Sequence, residues 1–271
     1  MFRRTVVALA FLVLGVSPGM EDLNGQEGTL DWSNRMTGGQ VLTVKGIVGG
    51  IRATLASGDR AQVVARKTGS PGDFQEVAVE VEETGDGFVI CAVYGSWNHG
   101  SGHCLPGGGD RDHDRRRRGS QDIDVAVEFE VRVPAGVEFH GGVVSGEIQA
   151  RDLRSPVEAS TVSGDISVST TETAWANTVS GDIQVEMGSL DWDDMDFKTV
   201  SGDITLWLPN DFGADIRFSS VSGDLDTDFD LALKGRQGRR WIGSDVRGTI
   251  GAGGRDLSFH TVSGNVDLRR K

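Results

Sequence analysis

Apolar and polar residues alternate with a period of two along much of this chain. In TVSGDITLWLP, one parity is apolar or glycine and the other is mostly polar. The first parity consists of Val200, Gly202, Ile204, Leu206 and Leu208. Because side chains of a strand point alternately to its two faces, this period predicts a strand with one face on a core. We expect the valine to face that core and the serine and aspartate to face water.

The same short motif returns at nearly regular intervals. VSGEI stands at 144–148, VSGDI at 162–166, 179–183 and 200–204, VSGDL at 221–225, and VSGNV at 262–266. The motif glycines are Gly146, Gly164, Gly181, Gly202, Gly223 and Gly264. Their spacing indicates repeats of about 17–21 residues, with one double step that the related VRGTI at 246–250 would fill. A glycine at a fixed place in each repeat predicts a bend where backbones approach closely.

Each repeat also has a second turn signal about halfway along, as in LPNDFG at 208–213. A repeat therefore holds about two strands and two corners. Corners that all turn the same way would wind the chain into a parallel β-solenoid, and alternating corners would give an antiparallel meander. We favour the solenoid, because identical residues then stack in register and bury a face that one repeat cannot bury alone. The motif is then an architectural corner.

Composition and sequence pattern divide the 271 residues into three parts. Thirty-nine glycines and six prolines indicate an all-β chain. Residues 1–19 have the form of a signal peptide, with Arg3 and Arg4 before an apolar run and SPG. Residues 27–135 hold strand-like runs such as IDVAVEFEVRVP, and residues 136–271 hold the repeats. This organisation predicts an extracytoplasmic protein, with retention of the signal as a membrane anchor as the alternative.

Two cysteines, Cys91 and Cys104, flank a glycine-rich segment within a predicted loop at 91–120. In an exported protein we expect a disulfide between them. The alternative is a zinc site that combines the two thiols with His99, His103 and His113, although their spacing matches no common zinc motif.

The signal segment, the passage VAVEFEVRVPAGVEFHGGVVSGEIQA and the serial VSGDI motifs resemble bacterial extracytoplasmic β-strand-repeat proteins of the "putative adhesin" family, which are related to head GIN domain proteins. The resemblance covers nearly the whole chain after residue 19. It implies a right-handed parallel β-helix outside the cytoplasm and supplies no catalytic residues.

Acidic residues follow the motif glycines in most repeats, at Asp165, Asp182, Asp203 and Asp224, and Glu147 precedes them. Stacked about 4.8 Å apart, like charges repel by roughly 0.9 kcal/mol per pair in water. We expect hydrogen bonds from the backbone N–H groups of the turn itself to offset this repulsion. The less favoured alternative is a Ca²⁺ site, for which Asp224, Asp226 and Asp228 are the best candidates.

A basic run, Arg115, Arg116, Arg117 and Arg118, could bind phosphate or sulfate groups. The alternating aspartates before it largely cancel its charge, so a solvated loop is the simpler reading. The formal net charge of −13 argues against nucleic acid as a partner.

The chain contains none of the common hydrolase, zinc-protease or nucleotide-binding motifs. We therefore expect a noncatalytic, adhesin-like scaffold at the cell envelope that binds a surface protein or glycan without a cofactor and lies at most peripheral to the membrane. One alternative is a β-helix lyase or hydrolase acting on polysaccharides, whose carboxylates would converge with Arg or Lys in a cleft. Another is an envelope-stress sensor or assembly partner acting through residues 91–118.

Overall fold

The computed structural model describes residues 28–95, 104, 123–191, 194–233 and 245–271. The predicted signal segment at 1–19 and the basic run Arg115–Arg118 lie outside these residues. Among the described residues, no helix is long and apolar enough to cross a membrane.

The described part of the chain is almost entirely β-structure, which confirms the predicted fold class. Its one helix is a 3₁₀ helix, Pro71–Glu76. Before the repeats, the strands are β1 (Thr29–Arg35), β2 (Val41–Lys45), β3 (Ile51–Leu55), β4 (Arg60–Gly69), β5 (Val77–Glu83), β6 (Gly87–Tyr94) and β7 (Val125–Val133). The repeat region begins with β8 (Glu138–Ser145), β9 (Ile148–Leu153), β10 (Val157–Ser163), β11 (Ile166–Thr170), β12 (Ala174–Asn177), β13 (Ile183–Met187), β14 (Asp194–Lys198) and β15 (Ile204–Leu208). It ends with β16 (Ala214–Ser222), β17 (Leu225–Thr227), β18 (Leu231–Leu233), β19 (Val246–Ile250), β20 (Asp256–Ser263) and β21 (Val266–Arg270).

Each repeat contributes one strand to each of two large sheets. The first sheet has the order β1-β4-β7-β3-β9-β11-β13-β15-β21-β17. The second has the order β18-β19-β16-β20-β14-β12-β10-β8-β2-β6-β5. Successive repeat strands alternate between the sheets, and equivalent strands of stacked repeats pair in parallel. These are the coils of a β-solenoid, as the spacing of the motifs predicts.

The order of the coils departs from the order of the sequence at one end of the stack. The coil β20–β21 lies between β14–β15 and β16–β17, because β20 pairs with β14 and β16 while β21 pairs with β15 and β17. We call β20–β21 the inserted coil. VRGTI at 246–250 is not a further coil, since it forms β19 and pairs antiparallel with β16 and β18. That expectation is wrong because its central Gly248 packs against Leu231 instead of forming a corner.

The first half of the chain extends the same sheets. Strands β2 and β3 form a coil that stacks on β8 and β9. Beyond it, β4 pairs antiparallel with both β1 and β7, and β5 pairs antiparallel with β6. The buried side chains of both sheets form a continuous hydrophobic core from Met36 to Leu268.

The motif valines do not face the core as their parity predicts. They are between 40% and 71% exposed, whereas the threonine before the valine is nearly buried in the four repeats that have one. In three of these repeats the threonine hydroxyl donates to the glycine carbonyl of the neighbouring coil: Thr161 to Gly146, Thr178 to Gly164 and Thr199 to Gly181. The inward threonine places the valine outward, and the Ser-Gly corner restores the inward parity at the following isoleucine.

Candidate binding surfaces

The motif glycines stack at one corner of the solenoid with almost no space between coils. Gly164, Gly181 and Gly202 have φ values of 149°, 143° and 145°, a conformation that favours glycine. A Cβ on any of them would overlap the carbonyl oxygen of the glycine in the neighbouring coil. The neighbour of Gly202 on its other side is Gly264 of the inserted coil, and Gly223 follows it. The glycines therefore set the closest approach of the backbones.

The motif aspartates form a ladder that connects the coils. Asp165 accepts a hydrogen bond from the backbone N–H of Asp182 at 2.8 Å, and Asp182 accepts one from Asp203 at 2.8 Å. Asp203 then accepts one from Asn265 at 2.7 Å, and the Asn265 side chain accepts one from Asp224 at 3.0 Å. The donors belong to the neighbouring coil and not to the same turn, which corrects the local hydrogen bonding we expected. These carboxylates thus have a structural role in the stack.

An exposed valine column runs beside this ladder. Its members are Val144, Val162, Val179, Val200, Val262 and Val221. The serines that follow them pair from coil to coil, Ser163 with Ser180, Ser180 with Ser201, and Ser201 with Ser263. This pairing aligns the valines in a row about 4.8 Å apart. We did not predict this column from the sequence. The signal that could have revealed it is the threonine that precedes the valine in four of the motifs, because only one of these two neighbours can face the core.

A shallow depression lies at the end of the aspartate ladder. Its lining includes Asp182, Asp203 and Asp224, together with motif serines, glycines and Asn265. The carboxylates of Asp182 and Asp203 already accept backbone hydrogen bonds, and neither Lys nor Arg lines the depression. This surface therefore does not show the carboxylates converging with Arg or Lys that we expect of the alternative β-helix enzyme.

Arg269 binds Asp226 and Asp228, two of the three aspartates that were the candidates for calcium. Its guanidinium contacts Asp226 at 3.1 Å, Asp228 at 3.3 Å and Asp267 at 2.5 Å. The pKa of Arg269 is raised, chiefly by the hydrogen bond to Asp226. Asp224 stands apart from this ion-pair cluster, as a member of the ladder. A cationic side chain thus occupies the space between Asp226 and Asp228. In the described residues, no group of three or more acidic, His or Cys side chains could hold a metal ion.

Trp207 lies on the outward face of the first sheet, half-buried between its neighbours. In the adjacent coils it pairs with Glu186 on one side and Arg269 on the other. Glu186 also forms an ion pair with Lys271 at 3.0 Å. The ring is therefore a partly open aromatic surface framed by charged groups, an arrangement that can stack on a sugar or pack against a protein.

Cys91 and Cys104 form the expected disulfide, with a Cα–Cα distance of 5.6 Å. Cys91 lies on β6 and is buried. Both sulfur atoms are bonded to each other, so the alternative zinc site that used both thiols is wrong. Near the same loop, burial raises the pKa of Tyr94, whose hydroxyl donates to the carbonyl of Val48. The three histidines of the zinc alternative and Arg115–Arg118 lie outside the described residues.

Comparison with known proteins relates part of this chain to a protein family. The family model described as Toastrack DUF4097 matches residues 138–269. Among curated proteins, none matches this chain.

Solved structures with a similar course of the chain include a "putative cell adhesion protein" from Clostridium sporogenes, with 8% identity and a TM-score of 0.44 over 90% of this chain and 100% of that one. A "putative adhesin" from Bacteroides fragilis has 12% identity and a TM-score of 0.38 over 90% and 98% of the two chains. A "putative lipid binding protein" from Parabacteroides distasonis has 11% identity and a TM-score of 0.29 over 90% and 98%. Likenesses this distant carry no conclusion about function. The Toastrack DUF4097 model covers the motif repeats on which the sequence resemblance rests, and residues 138–269 of the chain are similar to that family.

Proposed function

We propose that this protein is a noncatalytic, exported scaffold of the adhesin type, which presents its outward surfaces to proteins or glycans of the cell envelope. The observation that supports this most is the aspartate ladder. Its carboxylates accept backbone hydrogen bonds between coils, so the acidic groups repeated at the corner help to connect the stack. The outer faces of the two sheets are long and regular, and they remain available to a partner.

The charges on those faces favour binding over catalysis. The acidic residues around Arg269 form ion pairs with it, and the carboxylates of Asp182 and Asp203 are exposed and hydrogen-bonded. A general acid usually needs a carboxyl group held in a water-poor pocket against apolar neighbours. The ladder carboxylates have no such setting.

The disulfide supports a location outside the cytoplasm. Disulfides persist in oxidising compartments and are rare in the reducing cytosol. Together with the signal-like residues 1–19, this supports export to the periplasm, the cell surface or the medium.

Binding of the protein without residues 1–19 to a glycan array and to envelope extracts, with and without Ca²⁺, tests the proposal. We expect retention of an envelope protein or glycan that does not depend on Ca²⁺. Trp207→Ala should reduce glycan binding if the first sheet is the contact face, and Trp207→Phe should retain most of it because an aromatic ring remains. Absence of binding to every envelope fraction would contradict the proposal.

A second set of variants addresses the loop at 91–118. Replacing Arg115, Arg116, Arg117 and Arg118 by serine should leave binding unchanged if the repeat faces carry it. Loss of binding in this variant, with Trp207→Ala unaffected, would assign the contact to the loop and favour the sensor or assembly role.

A further inference from the structure

We propose that the valine column and the acidic ladder beside it form one docking edge for a cationic amphipathic α-helix of a partner polypeptide. This inference rests on the proposed function as a binding scaffold and names the class of partner. Six valines stand exposed at the same place in successive coils. Only a serine and a glycine separate each valine from the acidic position of its own repeat, so an apolar row and an acidic row run side by side.

The spacing of the coils favours a helix over an extended peptide. Stacked valines recur about every 4.8 Å, and a helix lying along the stack presents side chains about every 5.4 Å, one per turn. An extended peptide presents one side chain to a face about every 6.6 Å, which loses register after two coils. Over the roughly 24 Å of the column, a helix accumulates a mismatch of about 3 Å, which flexible Lys and Leu side chains can absorb.

The charges of the edge select a basic partner. Glu147, Asp165, Asp182 and Asp203 occupy consecutive coils, and Asp224 ends the row beyond Asn265. One carboxylate oxygen of Asp165, Asp182 and Asp203 accepts a backbone hydrogen bond from the neighbouring coil. The acidic side chains of the row are all exposed. A second copy of this chain would bring like charges together, and an anionic lipid surface would be repelled in the same way. A helix with a Leu row next to a Lys row complements both columns.

The hydrogen bonding of Asn265 makes the test specific. Asn265 already occupies a ladder position and accepts the same backbone hydrogen bond from Asp224 at 3.0 Å. Asparagine can therefore replace the aspartates without removing the ladder. The triple variant D165N/D182N/D203N removes three charges and keeps the acceptors. The triple variant V162T/V179T/V200T makes three consecutive members of the column polar at nearly constant shape.

The experiment measures binding of a fluorescent Leu/Lys peptide of about 20 residues, roughly 30 Å long as a helix, by anisotropy. We expect saturable binding to the full chain, at least tenfold weaker binding by each triple variant, and a weaker salt dependence for the asparagine variant. Val81→Thr, which alters an exposed valine on the edge strand β5, should bind like the unchanged protein. Circular dichroism and thermal melting verify that each variant is folded.

A peptide of the same composition, permuted to break the helical period, identifies unspecific attraction. We expect it to bind at least tenfold more weakly. Equal binding of both peptides, or an unchanged affinity of the threonine variant, would overturn the docking edge. Either result leaves the envelope-binding assay untouched, so failure of this inference is separable from failure of the proposed function.

Discussion

At the scale of single residues, glycine and aspartate have separate tasks in the corner. Glycine permits the approach of neighbouring backbones, and aspartate supplies an acceptor to the N–H group of the next coil. The first task depends on the absence of a side chain and the second on one oxygen atom. Substitutions at the two positions should therefore have different consequences.

Gly181→Ala should destabilise the fold by about 3 kcal/mol or more, because its Cβ would overlap the carbonyl oxygen of Gly164 and its φ of 143° is strained for alanine. Urea unfolding followed by circular dichroism measures the change. Gly58→Ala is the control, since nothing lies within 4 Å of a Cβ there. Equal stabilities of the two variants would contradict the close packing of the corner.

At Asp182, two substitutions separate charge from hydrogen bonding. Asp182→Asn keeps an acceptor for the N–H of Asp203 and removes repulsion of roughly 0.9 kcal/mol per neighbouring charge in water, so its stability should equal or exceed that of the parent. Asp182→Ala loses the acceptor and should be about 1 kcal/mol less stable than Asp182→Asn. The same urea titrations measure both stabilities. An alanine variant as stable as the asparagine variant would show that the ladder hydrogen bond does not stabilise the fold.

At the scale of elements, the inserted coil is the main departure from sequential winding. Phe259 of β20 stacks on Phe197 of β14 with ring centroids 5.9 Å apart, and it also pairs with Phe218 of β16. The inserted coil thus contributes to the core on both of its sides. The β16–β17 coil reaches the rest of the stack through it.

Engineered cysteines can test this order of coils. Ser201 and Ser263 pair directly, so S201C/S263C should form a disulfide under mild oxidation. Ser222 pairs with Ser263 on the other side, which places Ser201 and Ser222 about two strand spacings apart. S201C/S222C should therefore remain reduced, as judged by thiol titration. Cross-linking of the second pair would show that consecutive repeats stack directly.

The disulfide is the second element whose contribution can be measured. Removing it with C91A/C104A should lower the free energy of unfolding by about 3 kcal/mol, because the closed loop no longer restricts the unfolded chain. Chemical denaturation with and without reductant measures this, and reductant should affect the parent but not the variant. A parent insensitive to reductant would contradict this contribution.

The sequence predicts the strands, the stacked corners and the disulfide, because alternation, repeated glycines and paired cysteines each follow from local physical chemistry. It does not predict the order of the last coils, since VSGDL and VSGNV both fit the same neighbours. It also misplaces the valines, because parity alone does not include the threonine hydroxyl that donates to the next coil. The right-handed winding implied by the family resemblance remains a prediction.

At the scale of the whole molecule, a row of like charges runs along one corner of an acidic protein. The net charge is −13, and four ladder aspartates lie among exposed surface residues. Such charges destabilise the folded state through mutual repulsion that salt screens.

Raising NaCl from low concentration to 0.5 M should therefore increase the melting temperature of the parent protein. The increase should be smaller for D165N/D182N/D203N, because three of the repelling charges are absent while the acceptors remain. Differential scanning calorimetry measures both shifts. Identical shifts of the two melting temperatures would show that the repulsion screened by salt lies outside the aspartate ladder.

The position of the inserted coil also restricts how the protein can be built during synthesis. Residues 214–227 are translated before residues 256–270, yet their coil lies outside the later one in the stack. The stack therefore cannot fold by adding each newly translated coil to the end of the coils already folded. The earlier layer must wait undocked, or separate again, until the later residues emerge to fill the gap beneath it.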